Sequence, residues 1–403
     1  MTGVAQRKPE TGLDIDRVIA AIRAALPDGI ATVPLHKPCF AGNEWAYLKE
    51  CLDSSYVSSV GSFVTRFEKQ VAEAAGTAHA VAVMNGTAAL HVCLLLAGVG
   101  PGDEVLAPAL TFVATANAIS YCGAVPHFVD SDPRTLGVDP RRLGEYLRRS
   151  TVRRGDKLVN PRTGRRIKAL MPMHSFGHPV DMEPLLALAA EFGLFVIEDA
   201  AESLGSRYKG RPTGGWARLG AFSFNGNKII TTGGGGAITT DDAELAQAAK
   251  HLTTTAKLPH PWAFIHDRVG YNYRMPNLNA AVGCAQLEQL PDFLAAKRAL
   301  AERYRGALAK VPGVSFVVEP PFARSNYWLN ALLLDAGHAG ARDALLARAN
   351  AEGITTRPAW TLMHHLPMYA DCPRMELPVA EDIERRLVNL PSGAGLARPR
   401  HEG

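Results

Sequence analysis

Most features that would set this chain apart from an ordinary globular protein are missing. No apolar run approaches the roughly 20 residues of a membrane-spanning helix, and the stretch from Met1 to Gly12 is polar, unlike an export signal. A cytoplasmic protein with no membrane partner is therefore the expectation. The six cysteines (Cys39, Cys51, Cys93, Cys122, Cys284, Cys372) form no C-x-x-C pair and have no metal-ligand spacing. That removes zinc ribbons, redox motifs and disulfide frameworks, and leaves buried, reduced thiols. No repeat of fixed period and no low-complexity tract occurs, which excludes solenoids and propellers.

What is present is unexceptional in bulk: 403 residues, 47% hydrophobic and 20% charged, with 37 Gly and 27 Pro. Fibrous and largely disordered classes are excluded, and the length suits two or three domains with a substantial core. The net charge of +4 is small but uneven, because residues 141–168 hold eleven Lys/Arg against only Glu145 and Asp156. Only one aromatic, Tyr146, interleaves these charges, so the segment reads as a solvated loop around Asn160-Pro161-Arg162-Thr163-Gly164 rather than a nucleic-acid surface.

Residues 13–26 carry Ile15, Val18, Ile19, Ile22 and Leu26 at helical spacing. Beyond them, short apolar runs at 80–84, 104–107, 125–129, 169–173 and 194–197 alternate with helical stretches at 88–97, 112–121 and 182–192. Strand and helix in turn predict a mainly parallel sheet covered on both faces. Two more strands, 221–224 and 237–240, flank the loop 225–236. After about residue 275 the pattern becomes α+β, with one long helix over 278–308, strands at 314–318, 328–334 and 354–357, and a helix at 342–351. The division is therefore an N-terminal helical arm (1–35), a large α/β domain (36–275) and a smaller α+β domain (276–403).

Ligands of open α/β sheets bind at the carboxyl ends of strands, so the residues just beyond each apolar run are where chemistry is expected. Asn85-Gly86-Thr87-Ala88 joins a strand to a helix, which suits a phosphate held by backbone N–H groups or, equally, a plain turn with Thr87 as N-cap. Glu198-Asp199 ends a very apolar run and needs either a cationic ligand, such as a protonated pyridine nitrogen, or a local cap or ion pair. Lys228 lies between the strand ending Ser223-Phe224 and four glycines, Gly233 to Gly236. An amine so placed loses water and its pKa falls, as a Schiff-base lysine requires. Phe112, just past another strand, is either core or a ring that stacks on a cofactor.

At these residues the chain resembles the DegT/StrS family of sugar aminotransferases, from about Pro38 to Pro391. The motifs that carry the resemblance are Asn85-Gly86-Thr87-Ala88-Ala89-Leu90, Thr111-Phe112-Val113-Ala114-Thr115-Ala116-Asn117, Ile197-Glu198-Asp199-Ala200-Ala201, Phe222-Ser223-Phe224 with Lys228, and Gly270-Tyr271-Asn272-Tyr273-Arg274-Met275. Leu35-His36-Lys37-Pro38 and Phe224-Asn225-Gly226-Asn227-Lys228 look most like the LegC subgroup.

The resemblance implies the pyridoxal 5'-phosphate (PLP)-dependent transferase fold type I, like aspartate aminotransferase. It makes Lys228 the Schiff-base lysine, Asp199 the partner of the pyridinium nitrogen and Phe112 the stacking ring, with Gly86, Thr87, Ala88 and Ser223 around the phosphate. It also implies a homodimer with shared sites, Asn272 reaching the partner's cofactor, Arg274 meeting anionic substrate groups and His364 lining a sugar pocket. The implied substrates are glutamate and a nucleotide-linked, UDP-carried 4-keto-6-deoxy amino sugar, in surface-glycan synthesis. Where many members have Gln or His near the cofactor's phenolic oxygen, this chain has Glu202, whose role stays open.

Two alternatives accompany this reading. A cofactor-dependent sugar dehydratase of the same fold would have histidine in place of Lys228. A non-catalytic cofactor-binding regulator lacks a DNA-reading motif here. A metal site at His174, His178 and Asp181 fails because Gly177 and Pro179 break the helix that would align the histidines.

Overall fold

The computed structural model describes residues 12–397. Seven strands form the path of the main sheet in the spatial order His79–Val83, Gly236–Thr240, Leu219–Ser223, Phe195–Asp199, Arg166–Leu170, Asp103–Pro108 and Val125–Val129. All run parallel except Gly236–Thr240, which is antiparallel to both neighbours. The central strands are buried along almost their whole length, which explains why their sequences read as continuous apolar runs rather than alternating ones. Helix Gly86–Leu96 is buried on nearly every side, with Ala88, Ala89, Leu90, Val92, Cys93 and Leu94 all inside. Its all-round apolar sequence suits that position.

The C-terminal part is built on a four-stranded antiparallel sheet in the order Val314–Phe316, Asn330–Leu334, Leu387–Leu390, Arg357–Pro358. Helix Ile15–Ala25, capped by the Asp14 side chain on Arg17 N–H, packs Val18, Ile19 and Ile22 against Leu300, Tyr304, Leu332 and Leu345. The N-terminal helix is therefore part of the C-terminal core rather than a separate arm, because its apolar stripe finds its cover there. The first residues of the expected arm, 1–11, lie outside the described residues.

Three further expectations are corrected. The single helix over 278–308 is two, Asn277–Glu288 and Leu290–Leu308. Pro291 sits in the first turn of the second, where its missing N–H and its ring stop a continuous helix. The strand expected at 354–357 is reduced to Arg357–Pro358, with Ile354 bridging to Val33 instead. The basic segment is mostly regular structure: helix Pro140–Ser150, then a hairpin of Val152–Arg154 with Lys157–Val159. Only the turn at 160–164 fits the expected loop, held by Glu104, which accepts from Asn160 and Thr163.

Candidate active site

Five strand ends converge on one cleft of about 300 Å³. Asn85, Gly86 and Thr87 follow His79–Val83, Phe112 and Thr115 follow Asp103–Pro108, and Met173 follows Arg166–Leu170. Asp199 and Glu202 end or follow Phe195–Asp199, and Ser223 and Lys228 end or follow Leu219–Ser223. Parallel strands place all these ends on one edge of the sheet, which is how residues 85 to 228 come to share a wall.

One end of the cleft is made for an anion. Helix Gly86–Leu96 begins there, and its first turn carries the N–H groups that no helix can satisfy internally. The N-cap is Asn85, whose Oδ1 accepts from Ala88 N at 2.7 Å. The cap is therefore not Thr87, and the Ala88 N–H is already committed. Gly86, Thr87 and the Ser223 hydroxyl remain on the cleft wall. Gly86 has no room for a side chain, since a Cβ there would lie 2.7 Å from Ser223 Cβ.

Asp199 is buried at the floor. Its Oδ2 accepts from Thr115 Oγ1 at 2.8 Å, and its Oδ1 from Ala201 N at 3.2 Å. Burial pushes this carboxyl up, against the hydrogen bonds from Thr115 and Ala201 and the field of Lys228. Its neighbour Glu198 points the other way and accepts from His174 Nε2 at 2.8 Å and from the backbone N–H groups of Gly214 and Trp216. Burial raises the Glu198 carboxyl, but these donors outweigh burial and hold it below the ordinary value. Of the two acids at the strand end, one is locally satisfied and one faces the cleft. Strand alternation sends successive side chains to opposite faces.

Lys228 Nζ lies 3.2 Å from Glu202 Oε1 and 4.0 Å from the centroid of the Trp328 ring. Glu202 Oε2 accepts from Phe176 N at 2.9 Å. Burial lifts Glu202 to about 7 in spite of the ammonium beside it. Phe112, 49% exposed, stands at the cleft mouth with its ring 6.5 Å from that of Trp360. Trp360 in turn stacks on Phe176 at 4.6 Å.

A pyridoxal phosphate group fits this donor set. Hydroxyls and a helix N-terminus suit the phosphate, a buried acid suits a protonated ring nitrogen, an aromatic face suits the ring, and an amine suits the aldehyde carbon.

Residues 38–401 match the DegT/DnrJ/EryC1/StrS aminotransferase family. The chain is 42% identical over 362 residues to a GDP-perosamine synthase of Caulobacter vibrioides, covering 89% of this chain and 92% of that protein. It is 39% identical over 365 residues to the GDP-perosamine synthase of Escherichia coli, covering 91% and 94%. The crystal structure of the aminotransferase TlmJ from Streptoalloteichus hindustanus superposes with a TM-score of 0.81 at 31% identity, over 91% of this chain and 94% of that one.

The chain belongs to the DegT/DnrJ/EryC1/StrS aminotransferase family. It is a PLP-dependent aminotransferase.

In this aminotransferase two expected substrate contacts are not brought to the cleft. Arg274 is buried, and its Nη1 donates to Glu68 Oε1 at 2.6 Å and to Ala82 O at 3.1 Å, which ties it to strand His79–Val83 rather than to the cleft. His364 faces Glu381 at 3.8 Å and packs at a tilt against the His365 ring. Met363 N–H bonds to Ala109 O, and that anchored turn leaves Trp360 to line the cleft instead. Asn272 is exposed, paired through its backbone with Thr254, and lies outside the cleft of its own chain.

Trp328, Trp360 and Thr115 carry weight that sequence patterns did not reveal. Thr115 lies inside a motif already singled out, spaced one helical turn from Thr111, to which it is bonded at 2.7 Å. The two tryptophans come from loops of the C-terminal part, where no local pattern separates a cleft residue from a core one.

Proposed function

We propose that this aminotransferase moves an amino group from glutamate to the C4 ketone of a nucleotide-linked 4-keto-6-deoxy sugar, as a homodimer, for glycan synthesis. The observation that carries the reading is the placement of Lys228 between Glu202 and Trp328, in one cleft with Asp199 and the Gly86 turn. When bound, the cofactor supplies an electron sink for the carbanion formed at the amine-bearing carbon.

The rest falls to the chain. Asp199 holds a proton on the ring nitrogen, and Thr115 fixes the carboxylate that does so. Gly86, Thr87 and Ser223 bind the phosphate, and Phe112 covers the ring. Lys228, released when a substrate amine takes its place, carries the proton between carbon atoms as the general base. Glu202, titrating near neutrality, returns a proton to that amine through their shared hydrogen bond. Trp328 and Trp360 keep water from the reacting atoms. Asn272, exposed and away from its own cleft, suits a contact to the partner's site.

For the nucleotide, the LegC-like motifs alone point to a UDP-linked amino sugar, whereas two relatives are named for a GDP-linked sugar. We take GDP as the first carrier to test. Purified protein supplied with glutamate and a panel of GDP-, UDP- and TDP-linked 4-keto-6-deoxy sugars is expected to yield an aminated product by mass, most with GDP. Equal turnover of a free sugar or free keto acid would overturn the nucleotide-sugar reading and leave the aminotransferase assignment in place.

A further inference from the structure

Trp328 is fixed at three points. Its backbone N–H donates to Asn326 Oδ1 at 2.8 Å, and its indole Nε1 donates to Asn227 O at 2.7 Å, one residue before Lys228. Its carbonyl accepts from Lys297 Nζ at 3.1 Å. Lys297 lies on helix Leu290–Leu308 and is wholly buried. Its other partners are His36 Nε2 at 3.0 Å and the Ser392 carbonyl. One buried amine, its pKa lowered by burial to about 7, thus ties together three chain segments, around residues 36, 328 and 392. No carboxylate among the described residues pairs with it within salt-bridge distance. An amine buried in this way is costly unless each of its hydrogens is used.

We propose that Lys297 is a positioning residue for the catalytic lysine: it anchors the Trp328 carbonyl so that the indole face stays over Lys228 Nζ. The inference rests on the reading of Lys228 as the cofactor-bearing lysine. An aromatic face over a cationic nitrogen favours its protonated form, so a displaced Trp328 makes the nitrogen at Lys228 easier to deprotonate. Glu202 and Asp199 are the carboxyls facing that nitrogen, and neither is bonded to Lys297; His36, which is bonded to Lys297 and feels the Lys228 charge, is held well below its ordinary value by burial and by both lysines.

The test is a pH titration of the absorption band of the protein-bound cofactor in the holoenzyme. Lys297→Met is expected to move the midpoint down by about half a pH unit, the size of a partly desolvated cation–π contact. Trp328→Ala should move it by a similar amount, and the double variant by no more than Trp328→Ala alone. Lys297→Gln, too short to reach the Trp328 carbonyl but polar enough for the buried site, carries the same expectation should the methionine variant not fold. A folded Lys297 variant with the wild-type midpoint overturns the proposal, as do shifts that add fully in the double variant. Lys228→Ala serves as the control: a cofactor band that persists unchanged in it would sink the reading of Lys228 instead.

Discussion

Lys228 Nζ and Glu202 Oε1 share a hydrogen bond of 3.2 Å at the bottom of the cleft, where the Glu202 carboxyl is fully buried. An amine that must both hold the cofactor and act as a base needs a neighbour that can exchange a proton with it near neutral pH. A carboxyl at about 7 is such a neighbour.

Replacing Lys228 by alanine should abolish the absorption band of the protein-bound cofactor and reduce turnover by at least about 10³-fold. Retention of both the band and activity in Lys228→Ala would remove this residue from the mechanism.

The raised pKa of Glu202 makes a signed statement about stability. Its ordinary value is 4.5 and its folded value about 7, so between those limits the folded chain holds a proton that the unfolded chain has released. The stabilising contribution is complete below about 4.5 and is lost as pH rises through about 7, an effect on the order of 3 kcal/mol at most. In cofactor-free protein, Glu202→Gln should flatten the fall in stability across that window, as measured by denaturant unfolding at several pH values. A wild-type pH dependence in the variant would mean that Glu202 does not titrate there.

Gly86→Ala places a methyl 2.7 Å from Ser223 Cβ. Neither atom belongs to a flexible side-chain end, so the helix start must shift, at about 1–3 kcal/mol. Cofactor affinity should fall in parallel, because the displaced turn is the proposed phosphate site. Equilibrium dialysis of the cofactor together with a thermal melt checks both parts.

Arg274 and Glu68 form a nearly buried ion pair. Breaking it with Arg274→Met should destabilise the fold by about 3–5 kcal/mol, while the KM for the sugar in the folded fraction stays within about twofold. A large rise in KM with normal stability would return Arg274 to the substrate.

If Asn272 completes the partner's site, inactive Lys228→Ala and Asn272→Ala proteins mixed under subunit exchange should recover part of the wild-type activity. One of the two sites in a mixed dimer would carry neither defect. Absence of recovery despite demonstrated exchange would argue for sites built within one chain.

The sequence by itself determined the order of strands and helices, the mainly parallel sheet and the residues at its carboxyl ends. Apolar runs, glycines and terminal acids are local signals, and parallel topology brings all those ends to one edge. It did not reveal the break at Gln289, where Pro291 is a weak signal inside a strongly helical stretch, nor the packing of helix Ile15–Ala25 into the C-terminal core. The residue pattern alone left open which of Glu198 and Asp199 faces the cleft, and tertiary structure decided it, since that depends on which neighbours supply donors to each face; only the family resemblance had pointed to Asp199. Tertiary structure alone committed Arg274 to Glu68, and it alone set Trp328 beside Lys228 and Lys297 behind Trp328, from positions about 100 and 70 residues further along the chain. Contacts between residues so far apart arise from how packed layers meet, and that is a property of the whole fold rather than of any local pattern.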